Sequence, residues 1–101
     1  MSLRDTRGGS SADYVKGWNA AQKGHFATAL REWEPLAEQG DARAQYNLGW
    51  MYANGKGVIQ DNLYAHMWSN IAASQGHEDA ANNRDIIAKS MTPSQIEKAQ
   101  E

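Results

Sequence analysis

Apolar residues recur along this chain at intervals of three and four, and single glycines or glycine clusters separate the runs. Val, Ile and Thr are sparse and no stretch alternates apolar with polar, so the period points to helices and not strands. The clearest stripe is Phe26, Ala29, Leu30, Trp33, Leu36 and Ala37, bounded by Gly24 and Gly40. Pro35 lies within it and is expected to bend or loosen the turn before it. A first helix is predicted from about Ser11 to Lys23, with Ser10 as N-cap and Asp13 three residues on as a variant capping box. Asp41 caps a third helix, with Ala44, Leu48, Met51 and Tyr52 on one face and Tyr46 and Trp50 on the next. Asn54-Gly55-Lys56-Gly57 reads as a turn. Asp61 caps a fourth helix, with Tyr64, Trp68, Ile71 and Ala72 as its stripe, Leu63 and Met67 beside it, and Gly76 as its stop. A fifth runs from about Glu78 to Lys89 and buries Ala80 and Ile87. Thr92-Pro93-Ser94-Gln95 then combines N-cap, first-turn proline and capping-box glutamine ahead of a short sixth helix with Ile96 and Ala99.

Self-comparison turns these helices into an array. Ala29, Ala37, Gln39 and Gly40 recur 36 residues on as Ala65, Ala73, Gln75 and Gly76. Ala12, Tyr14, Gly17 and Trp18 recur 32 residues on as Ala44, Tyr46, Gly49 and Trp50. The longer turn at Lys56 to Gln60 accounts for the difference. Small residues at Gly17, Gly49, Ala29 and Ala65 let paired helices approach closely. Beyond Gly76 the pattern fades: Tyr46 becomes Asn82, Leu48 becomes Arg84 and Gly49 becomes Asp85. A polar, degraded final unit suits the end of an array, where nothing stacks further.

Ala44-Gln-Tyr-Asn-Leu48-Gly49-Trp-Met-Tyr52, Gly55-Lys-Gly57-Val58, Asp61, Ala65, Trp68 and Ala72-Ala73-Ser-Gln-Gly76 together resemble the Sel-1-like repeats, relatives of the tetratricopeptide repeats. The full unit covers about Asp41 to Gly76. The stretch from Ala12 to Gly40 lacks the long glycine turn and is closer to an ordinary tetratricopeptide pair. The resemblance implies an all-α fold, a short right-handed α-solenoid (an α/α superhelix) of stacked antiparallel helix pairs that scaffolds protein complexes. The expected organisation is a flexible lead or cloning scar over 1–10 and a single repeat domain over 11–101. Within that domain, 11–40 is the tetratricopeptide-like pair, 41–76 the Sel-1-like unit and 77–101 the divergent capping helices.

Composition narrows function mainly by exclusion. The chain has 101 residues and a formal net charge of −2, which gives no footprint for nucleic acid or an anionic membrane. It has no cysteine, which removes disulfides, thiolate metal sites and a thiol nucleophile. No apolar run approaches the roughly 20 residues of a membrane span, and the compartment is left open. His25, His66 and His77 lack metal-type spacing, and each is expected to be capping or at the surface. Gly55-Lys56-Gly57 lacks the strand of a phosphate loop. Glu32, Glu34, Glu38 and Asp41 are interleaved with Arg31 and Arg43, as on a solvated face. No catalytic residue, metal or cofactor is expected.

The candidate site lies on the first helix of each pair. In tetratricopeptide proteins that face lines the concave groove that holds a peptide. Carried across residue by residue, the resemblance implicates Tyr14, Val15, Trp18, Gln22, Arg43, Tyr46, Asn47 and Trp50, with Asn83 continuing the line. Rigid aromatics beside Asn and Arg suit an extended peptide. Two readings of Trp18 and Trp50 stay open: exposure in a groove, or packing against each other between units. Tyr52, Trp33 and Trp68 are expected in the core. The expected role is a non-catalytic module for a protein or peptide partner. The alternative is a self-associating or capping piece of a larger array, a homodimer through its open end.

Overall fold

The computed structural model describes residues 12–100, and within them the chain forms six helices and no strand. They are α1 Tyr14–Gln22, α2 Phe26–Glu38, α3 Ala42–Asn54, α4 Asn62–Ser74, α5 Glu78–Ala88 and α6 Pro93–Ala99. Five of these six starts are capped by a side chain; α2, which follows His25, is the exception. The carboxylates of Asp41 and Asp61 accept the free N–H groups of the first turns of α3 and α4. Thr92 and Gln95 close a reciprocal capping box on α6, with Pro93 at its first position. The first helix is shorter than its periodicity suggests. Ser10 lies outside the described residues, and Asp13 is itself the cap, accepting from the Lys16 N–H, so α1 begins at Tyr14. Pro35 is accommodated inside α2, which runs on to Glu38.

Consecutive helices pack as hairpins, α1 on α2 and α3 on α4, and α3 also packs on α2 of the preceding pair. The first core lies at this junction: Ala20, Ala29, Trp33, Ala37, Ala44, Leu48 and Met51 are buried, with Leu30, Leu36, Val58 and Trp68 around them. A second core joins Ala65 of α4 to Ile87, Met91 and Ala99, with Tyr52, Leu63 and Met67 at its edge. Here α6 packs chiefly on α4 instead of completing a pair with α5. The last two helices thus cover the flank of the second unit.

The close approaches occur at Gly17 and Gly49. A methyl group on Gly17 would fall 2.5–2.9 Å from the Trp33 indole, and one on Gly49 would strike the Ser69 side chain. The buried face of α4 is accordingly Ala65, His66, Ser69 and Ala72. This corrects the expected stripe: Tyr64 and Ile71 are 43% and 40% exposed. Where two helices approach closely, small residues fill the seam and large ones are displaced to its margins. His66 is corrected with them, since it is buried and not at the surface.

Candidate functional site

A cleft in the N-terminal half of the described residues is lined by both repeat units. Successive turns of α1 present Trp18, Ala21 and Gln22, and α3 presents Tyr46, Asn47 and Trp50 across from them. Phe26, at the start of α2, and the buried Trp33 complete a cleft of about 280 Å³. Phe26 is fixed from behind by the long turn. Gly57 has a φ of 74°, and a Cβ there would lie 2.9–3.0 Å from Phe26, so only glycine lets the turn pass this close.

The two tryptophans are not buried against each other. Trp18 is 47% exposed and Trp50 39% exposed, and Trp50 leans on Phe26 with ring centroids 6.1 Å apart. Tyr46 stacks on the ring of His77 at 4.7 Å, and His77 caps α5 by accepting the Ala80 N–H at Nδ1. The Tyr46 ring is thereby held from the side of the third unit.

The other candidate residues have different stations. Tyr14 is clasped, its ring 5.7 Å from Trp33 on one side and 4.1 Å from the Arg43 guanidinium on the other. Its hydroxyl accepts a 2.9 Å hydrogen bond from Asn47 Nδ2, and its carbonyl accepts the Trp33 indole N–H at 3.1 Å. Asn47 is thus buried and structurally committed, although it borders the cleft. Arg43 donates to both oxygens of Asp41, at 3.2 and 2.8 Å. That guanidinium holds the Asp41 carboxyl below the usual range, and Asp41 in turn raises the Arg43 pKa. Val15 is exposed at the end of the stack, outside the cleft. Asn83 donates to Ser69 Oγ at 3.2 Å in the next junction.

Ala21, Phe26 and Trp33 are the lining residues outside the candidate set, because Phe26 and Trp33 fall on the α2 stripe and read as core. The acidic group on α2 divides its work. Glu32 accepts the Asp13 N–H at 3.0 Å and lies 3.7 Å from Lys16, tying α2 to the start of α1. The histidines are scattered: His25 is exposed, His77 caps, and His66 is buried with Nδ1 unpartnered. Burial, then the nearby Arg84, lowers the His66 pKa. Among the described residues no three of His, Asp and Glu group as metal ligands.

Stacked helix hairpins with an aromatic cleft between units define an all-α helical-repeat protein. Residues 42–77 match the family model of the Sel1 repeat, so the chain carries a Sel1 repeat spanning α3, the glycine turn and α4. No curated protein and no solved structure matches the chain. Sel1 repeats generally mediate protein–protein interaction and are typically non-catalytic. No helix among the described residues is long and apolar enough to cross a membrane.

Proposed function

We propose that this chain is a non-catalytic docking module that holds a peptide or protein segment in the cleft between α1 and α3, the concave face of the stack. The observation that carries this reading is the pair of half-exposed indoles, Trp18 and Trp50, facing an uncharged cleft backed by Phe26 and Trp33. Large rings already held by neighbours lose little freedom on binding, and such anchors dominate interface energies. Gln22 supplies an exposed amide at the rim for a peptide backbone.

The test replaces Trp18 and Trp50 together with Ala, leaving Tyr46 intact because it also packs on His77. Ile59 is 90% exposed and does not line the cleft, so Ile59→Ser is the matched control. Circular dichroism should show all three proteins equally helical. Each partner recovered by crosslinking and mass spectrometry should be retained by the control and lost by the double variant, with affinity falling at least roughly 100-fold, as for two hot-spot residues. Equal retention by the folded double variant overturns the cleft as the docking site.

The polar end of the stack weighs against self-association there. At positions where α3 and its C-cap carry Gln45, Leu48, Met51 and Gly55, α1 and its caps carry Asp13, Lys16, Asn19 and Lys23. Such a surface disfavours burial against a second copy.

A further inference from the structure

We propose that the cleft selects an extended peptide with one bulky apolar side chain and a carboxylate placed toward Lys56. This rests on the docking reading above. Size supports the first half. At about 280 Å³ the cleft falls just below the roughly 300–1,000 Å³ of small-molecule pockets, and it suits a single anchoring side chain between the indoles.

Charge supports the second half. No residue lining the cleft is charged, so selectivity for charge must come from its ends. Toward α2 stands Lys56, its ammonium 5.8 Å from the Phe26 centroid, with Phe26 in turn 6.1 Å from Trp50. Among the described residues Lys56 has no carboxylate within ion-pair distance. Toward Tyr14 stands Arg43, whose charge is already met by both oxygens of Asp41. Among the described residues one end thus offers an unpaired cation and the other a neutralised pair. At about 3.3 Å per extended residue, a carboxylate two or three residues from the anchor reaches Lys56. The backbone beneath Lys56 is fixed, because its N–H donates to the Met51 carbonyl at 3.0 Å and Gly57 is wedged on Phe26. The chain's net charge is −2, so this attraction is local to the turn.

The experiment pans a random peptide library on the wild-type chain, on Lys56→Glu and on the Trp18→Ala/Trp50→Ala double variant. Wild type should enrich peptides with a bulky apolar residue and Asp or Glu two or three positions to one side. Lys56→Glu should lose that acidic preference and bind the enriched peptides about tenfold more weakly at low salt, the gap closing as salt rises. If the apolar anchor is selected without acidic enrichment, or if Lys56→Glu binds equally well, this inference fails and the docking reading stands. If no peptide is captured that the double variant releases, both fail.

Discussion

The first helix pair and the second share one backbone plan and differ in what fills it. Gly17 of α1 and Gly49 of α3 are equivalent, as are Trp33 of α2 and Ser69 of α4. In the first pair the missing methyl makes room for an indole; in the second it brings the helix against Ser69 and the Ala65 carbonyl oxygen. The difference reaches the surface. Trp33 extends from the core to the floor of the cleft, whereas Ser69 stops inside and takes a hydrogen bond from Asn83. One unit further on, the positions of Phe26, Trp33, Tyr46 and Asn47 are held by Asn62, Ser69, Asn82 and Asn83. An aromatic cleft is therefore built at the first junction, and polar side chains occupy its place at the second. A repeat conserves its backbone seam, and the residue set into that seam decides which junction can bind.

Exchanging that residue has the largest expected effect. Trp33→Ala removes a buried indole, its hydrogen bond to Tyr14 and the cleft floor at once, and should cost about 3–5 kcal/mol. Ser69→Ala at the equivalent position loses one hydrogen bond from an asparagine, about 1 kcal/mol. Urea unfolding of the two variants checks the ordering. Similar costs would mean that the two junctions are energetically alike despite their different fillings.

The glycines come next. Gly49→Ala should cost about 1–3 kcal/mol by overpacking. The nearest obstacle is the Ser69 side chain, but the Ala65 carbonyl oxygen is 3.2 Å from the added methyl and cannot yield without moving α4. Combining Gly49→Ala with Ser69→Ala should thus recover part of the loss and leave a remainder. A double-mutant cycle measures it. Full recovery would show that only the serine, and not the backbone approach, demands glycine here.

Much of this was legible in the sequence where the cause is local. Asp41, Asp61 and Thr92-Pro93-Ser94-Gln95 start their helices through bonds within one turn, so short motifs suffice. Trp33 was placed in the core by its stripe. The α4 stripe misled because size and apolarity favour Tyr64 and Ile71, while the seam against Gly49 admits only small side chains. That constraint comes from another helix and leaves no periodic mark. The site divides in the same way. Trp18, Gln22, Tyr46, Asn47 and Trp50, which the resemblance implicated, line one cleft. Phe26 was missed because its orientation is set by the distant Gly57. Tyr14 and Asn47 could not be seen to engage each other, since their bond spans two units.

The smallest expected effect concerns the position where the second unit has His66 and the first has Leu30. His66 is 2% exposed and its Nδ1 has no partner among the described residues, a polar ring nitrogen buried where the first unit has plain hydrocarbon. From α5, Arg84 opposes a second positive charge there and Asp85 favours one; burial, the largest influence, opposes it. The folded pKa therefore lies below 6.5, the ordinary value that the unfolded chain would show. The unfolded state then binds more protons, so stability is greatest above pH 6.5 and falls as pH drops through 6.5 toward the folded pKa. The Asp41 carboxylate, lowered from 3.8, adds its own loss only in more acid solution, so the two windows separate. His66→Leu, which copies the first unit, should change stability at pH 7.5 by no more than about 1.5 kcal/mol and should flatten the decline over the interval just below pH 6.5. Thermal melts of both proteins across that interval decide the matter. An unchanged slope in the leucine variant would show that the buried imidazole is not what makes the second unit acid-sensitive, and that its difference from the first lies in packing alone.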